Sequence, residues 1–100
     1  MLMGRVVGTV VATHKDEKLG GSKLLIVEPL DLRTAQTKGS PVVAVDAVGA
    51  GEGEIVLCVS GSSARLTDST KDRPVDTVIA AIVDHYDMDG EIRYRKHDAT

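Results

Sequence analysis

The apolar positions of this chain lie in short, nearly unbroken runs, separated by stretches rich in Gly, Ser, Asp and Lys. Runs of that length, filled with Val and Ile, predict strands rather than helices. Residues 4–13 read as the first strand, with Gly8 marking a bend or a bulge inside it. Residues 14–22 are polar and carry Gly20-Gly21, so they form a turn. Residues 23–30 are the second strand. Pro29 has no N–H to give to a ladder, so this strand ends there or lies at an edge. Residues 31–41 read as a loop. Two further strands, 42–48 and 55–59, flank the turn Gly49-Ala50-Gly51-Glu52-Gly53-Glu54. A second small-residue turn, Ser60-Gly61-Ser62-Ser63-Ala64-Arg65, follows. Residues 67–73 are polar and aperiodic and are expected to form an exposed, mobile loop. Residues 74–81 predict one short helix, with Asp76 at its positive end, although their β-branched content leaves a strand open. Residues 82–87 form the next strand. Asp89-Gly90 suits the positive φ angles of a type I′ turn, which leads into a last strand at 92–95.

The run 55–59 contains no polar residue. In a small antiparallel barrel one face of a strand meets water, so a strand apolar on both faces needs a cover. Neighbouring copies of the same chain are the simplest one. Composition fits that picture. The chain has 100 residues, no Phe or Trp, two Tyr and 42% hydrophobic residues. Its core must come from Val, Ile, Leu and Ala, which favours a single, mainly all-β domain. So small a domain buries a limited share of its surface, and association would stabilise it. The formal net charge is −3, with Lys and Arg scattered, which argues against nucleic acid and anionic membrane as partners. No apolar run approaches the roughly 20 residues of a membrane span, and Met1 to Arg5 leads into no secretory apolar segment, so a cytoplasmic protein is expected. Cys58 is the single cysteine, and its place in an apolar strand predicts a buried, inert thiol.

Candidate chemistry is sparse. A dinucleotide cradle needs G-x-G-x-x-G opening a helix. Here the spacing is G-x-G-x-G and a strand follows, so the glycines serve tight turns or close backbone approach. Ser62 and Ser63 lack the second glycine of an esterase elbow. His14, His85 and His97 are far apart and form no metal-ligand pair. The segment around Asp87 and Asp89 misses a calcium loop at both the first and the last ligand position. Glu52 and Glu54 flank Gly53, with no recognisable proton-transfer partner beside them. The reading is therefore of a protein without catalytic residues, metal or cofactor.

Several ordered segments together resemble a known family. They are Gly4-Arg5-Val6-Val7-Gly8-Thr9-Val10-Val11-Ala12-Thr13-His14-Lys15, then Leu19-Gly20-Gly21-Ser22-Lys23-Leu24-Leu25-Ile26-Val27, then Pro29-Leu30-Asp31. Val43-Ala44-Val45-Asp46-Ala47-Val48-Gly49-Ala50-Gly51-Glu52-Gly53-Glu54, Ser60-Gly61-Ser62-Ser63-Ala64-Arg65, Pro74-Val75-Asp76 and Ile82-Val83-Asp84 complete the match. In this order they are similar to the vertex proteins of bacterial microcompartment shells, the EutN/CcmL family. The resemblance implies an OB-like β-barrel over residues 1–86, a cyclic homo-pentamer, and a structural role without catalysis. Such pentamers close the vertices of a polyhedral, carboxysome-like shell in the bacterial cytoplasm, whose facets are hexameric shell proteins and whose interior holds metabolic enzymes. Residues 87–100, a C-terminal hairpin and charged tail, lie beyond the family core.

If the chain is a ring, its two small-residue turns are candidates for the pore or for subunit contacts: Gly49, Ala50, Gly51, Glu52 and Gly53 in one, Gly61, Ser62, Ser63 and Arg65 in the other. Five copies converging on one axis leave little room, which suits small residues. A ring of Glu52 would gather negative charge there. The competing reading is an OB-fold binding module for single-stranded nucleic acid or a small ligand. It would need aromatic platforms in a basic groove, and the chain offers only Tyr86 and Tyr94.

Overall fold

Five strands close on themselves. The computed structural model describes residues 1–12, 23–60 and 77–96. Its strands are β1 (Leu2–Val10), β2 (Lys23–Asp31), β3 (Gln36–Thr37), β4 (Val42–Asp46), β5 (Ile55–Ser60), β6 (Thr77–Ile82), β7 (His85–Met88) and β8 (Glu91–Arg95). The main sheet runs β1-β5-β6-β4-β2, and a further β1–β2 pairing joins its ends into a barrel. Every neighbouring pair in the barrel is antiparallel except β4 and β6, which are parallel. With β3 and the hairpin set aside, that is the strand order of an OB-fold. β3 is a two-residue addition beside the end of β2.

Inside the barrel lie Val6, Leu25, Val27, Ala44, Val56, Cys58 and Ile79, all at most 1% exposed. Burial of each larger aliphatic side chain contributes on the order of 1.5–3 kcal/mol. Because successive strand residues point to opposite faces, Val45 and Val78 face the other way, and they pack with Leu24, Ala47 and Val59. A third cluster forms around Leu30, Ile55 and Val83, joined by Met3, Leu57, Tyr86 and Tyr94. β5 is therefore apolar on both faces because both are covered. Over Ile55 and Leu57 the chain's own C-terminal hairpin supplies cover, through Tyr86 and Tyr94.

The structure corrects the expected short helix at 74–81. Residues 77–82 are β6, laddered to β5 on one side and to β4 on the other. Val78 and Ile79 are fully buried on opposite faces of the sheet. A helix would forfeit both ladders and one of those two burial sites. Residues 74–76 lie outside the described residues, and so do the turn at 14–22 and the segment 67–73 expected to be a mobile loop. Among the described residues there is no α-helix.

Two local expectations hold. The β1–β2 register shifts between Val6 and Gly8, the bulge that Gly8 signalled. Asp89 (φ 56°) and Gly90 (φ 78°) both adopt positive φ between β7 and β8, as a type I′ turn requires. Pro29 behaves differently from expectation. β2 continues through it, with Gly4 opposite it in β1, and its carbonyl accepts a 2.7 Å hydrogen bond from the N–H of Lys38.

Candidate functional site

The turn at 49–54 joins β4 to β5, and its shape is set by hydrogen bonds from both sides. At its start, Asp46 Oδ1 accepts from the N–H groups of Val48 and Gly49, each at 3.0 Å. This aspartate-anchored turn hands the chain to Gly49 in a left-handed conformation (φ 80°). Ala50 then points inward and is fully buried in the barrel core. The carbonyl of Ala50 accepts from Lys23 Nζ at 3.0 Å. At the far end, Gly53 is again left-handed (φ 88°). Its N–H donates to Val6 O at 2.8 Å, while the Val6 N–H donates to Glu54 O at 2.9 Å, so the β1–β5 ladder runs on into the turn. Arg5 Nη1 donates to Gly53 O at 2.7 Å.

Glu54 organises the middle. Its Oε1 accepts from the N–H of Gly51 at 2.6 Å. Its Oε2 meets Lys96 Nζ at 2.7 Å. The Lys96 ammonium first, and the Gly51 N–H second, hold the Glu54 carboxyl below the usual carboxylate range. The same bond raises the Lys96 ammonium above its ordinary value. A carboxylate held ionised in this way is a poor general acid. Glu52 is exposed at the tip of the turn. Of the residues singled out in sequence, Gly49, Gly51, Glu52 and Gly53 share this loop and Ala50 anchors it. Gly61, Ser62, Ser63 and Arg65 lie outside the described residues.

Sequence reasoning missed the three cations, Arg5, Lys23 and Lys96, that grip the turn. They come from β1, from β2 and from just beyond β8, and nothing local marks them. The remaining chemistry-bearing groups are occupied structurally. Cys58 is buried as expected, and desolvation pushes its thiol up to about 11, which disfavours the thiolate. Tyr86 and Tyr94 are half-buried in the third apolar cluster, and Tyr86 Oη donates to Leu32 O at 2.8 Å. Their rings pack over the barrel at Leu30, Ile55 and Val83.

The chain and its fold have counterparts among known proteins. Residues 1–84 match the family described as "Ethanolamine utilisation protein EutN/carboxysome". The bacterial microcompartment shell vertex protein GrpN of Rhodospirillum rubrum is 46% identical over 84% of this chain and 93% of its own length. The carboxysome shell vertex protein CcmL of Synechocystis is 42% identical over 98% of this chain and 97% of its own. Among solved structures, CcmL of Gloeobacter violaceus superposes with a TM-score of 0.91 at 40% identity, covering 98% of this chain and all of that one. The structure of GrpN, described as a pentameric microcompartment shell protein, superposes with a TM-score of 0.79 at 45% identity over 88% of this chain and 99% of that one. The chain belongs to the EutN/CcmL family, whose members include shell vertex proteins of bacterial microcompartments and carboxysomes.

Proposed function

We propose that five copies of this chain form a ring that closes a vertex of a microcompartment shell in the bacterial cytoplasm, set among hexameric shell proteins, with no catalytic duty. One observation supports it beyond family membership. On the outer face of the barrel, Val43 of β4 stands opposite Ile26 of β2, which stands opposite Gly8 of β1, and Val7 adjoins at the bulge. Val43 is 51% exposed and Val7 43%. This apolar row has no cover within the described chain, unlike the face of β5 under the hairpin. A second copy is the partner that fits it, because an obligate subunit interface is large and apolar. In this reading residues 1–86 supply the vertex unit and residues 87–100 an extension, whose described part, 87–96, folds on it. The 49–54 turn lies near the five-fold axis, with Glu52 at the rim of the opening.

Native mass spectrometry tests the proposal. The expected particle holds five chains, and Val43→Glu is expected to give monomers that keep the β-type circular dichroism spectrum. A wild-type chain that stays monomeric at micromolar concentration overturns it.

A further inference from the structure

Among the described residues, the hairpin β7–β8 meets the rest of the chain at its tyrosines, at its tip and at its C-terminal end. Its tyrosines pack on the third apolar cluster. At its tip, Asp89 pairs with Arg33 at 2.8 Å, in an exposed bridge of the kind that contributes little. Its third contact leads into the turn described above. We infer that Lys96 is a positioning residue through which the C-terminal hairpin sets the conformation of the 49–54 turn.

The path is short and continuous. The backbone N–H of Lys96 donates to Asp84 O at 2.7 Å, which fixes Lys96 at the base of the hairpin. Its ammonium takes one oxygen of Glu54, and the other oxygen takes the N–H of Gly51. One carboxylate therefore ties the end of the hairpin to the middle of the turn. The Glu54 side chain is only 22% exposed, and these two partners hold its carboxyl below the ordinary carboxylate range. Other cations face the turn, but they are engaged elsewhere: Lys23 on the carbonyl of Ala50 and Arg5 on that of Gly53. Asp84 and Tyr94 are the further titratable groups near Lys96. Neither supplies a cation that could replace it. The apolar seam under Tyr86 and Tyr94 docks the hairpin without Lys96. Removing the ammonium should thus release the turn and leave the hairpin in place. This coupling is internal to one chain and holds wherever the turn sits in an assembly.

The test is Lys96→Met, which keeps the stem and removes the charge, studied in the full chain by amide hydrogen exchange and by NMR titration of Glu54. The Gly51 amide is expected to exchange about tenfold faster or more. The Glu54 midpoint should move up toward the ordinary carboxylate value, and the amides of Met88 and Glu91 should keep their protection. Arg33→Ala, which cuts the polar contact at the hairpin tip, should alter neither Gly51 nor Glu54. Unchanged Gly51 exchange in Lys96→Met overturns the inference. Equal loss of protection in the hairpin and the turn also overturns it, because Lys96 would then only hold the hairpin down.

Discussion

Gly4 sits where β1 and β2 approach too closely for any side chain. A Cβ at this position would lie 2.6 Å from the carbonyl oxygen of Glu28 and 2.6 Å from Val27 Cγ1. The first of these is backbone and cannot swing away. Gly8 is a milder case, since its nearest neighbour would be Ile26 Cδ1 at 3.3 Å, the free end of a flexible side chain. Gly4→Ala is therefore expected to destabilise the fold by about 1–3 kcal/mol, as overpacking does. Gly8→Ala should cost less. Thermal unfolding of the two variants at one protein concentration, side by side with wild type, checks the ranking. The two glycines look alike in sequence, because the pressure on Gly4 comes from a strand more than twenty residues away.

The same contrast between local and distant causes runs through the elements. The β7–β8 turn could be read in the sequence because Asp89 and Gly90 themselves supply its backbone angles. Gly90→Ala keeps the φ of 78° only under strain, a penalty of about 1 kcal/mol. Faster exchange of the Met88 and Glu91 amides, with the barrel amides unchanged, is the expected signature. β6 could not be read as securely. An apolar, β-branched run after a proline suits a buried helix turn as well as a strand, and only β4 and β5 on its two sides decide the matter. β3 was missed for a related reason: two residues carry no period, and the pairing of Thr37 with Leu30 creates the strand. The 49–54 turn was visible from its glycines, whereas the residues gripping it were not. Its charged latch also has a defined pH range. Glu54, held low, adds stability that is complete above its ordinary value of 4.5 and is lost as the pH falls through its lowered value. Lys96, held high, adds stability that is complete below its ordinary 10.5 and is lost as the pH rises through its raised value. The latch is therefore closed across the neutral range.

At the scale of the whole molecule, Gly51 offers a clean probe of where the turn lies in the ring. It has no positive φ, and a Cβ there would touch only Glu54 Oε1, at an ordinary 3.5 Å. Among the described residues a Cβ at this position meets nothing else, so Gly51→Ala is expected to fold normally and serves as the control for a bulkier substitution. With the turn near the axis, Gly51→Trp is expected to prevent ring closure or to block the opening, read by native mass spectrometry and electron microscopy. A pentamer of normal stability with an unchanged opening would place the turn elsewhere. The strand order has a further consequence, for synthesis. β6 fills the gap between β4 and β5, yet it lies beyond residue 76, late in the chain. Until the ribosome has released it, β4 and β5 each present a bare edge, the kind of template that recruits other chains. Non-local closure of this type is slow compared with helix formation. A nascent chain thus stays open until β6 has emerged, and barrel closure has to precede assembly into rings.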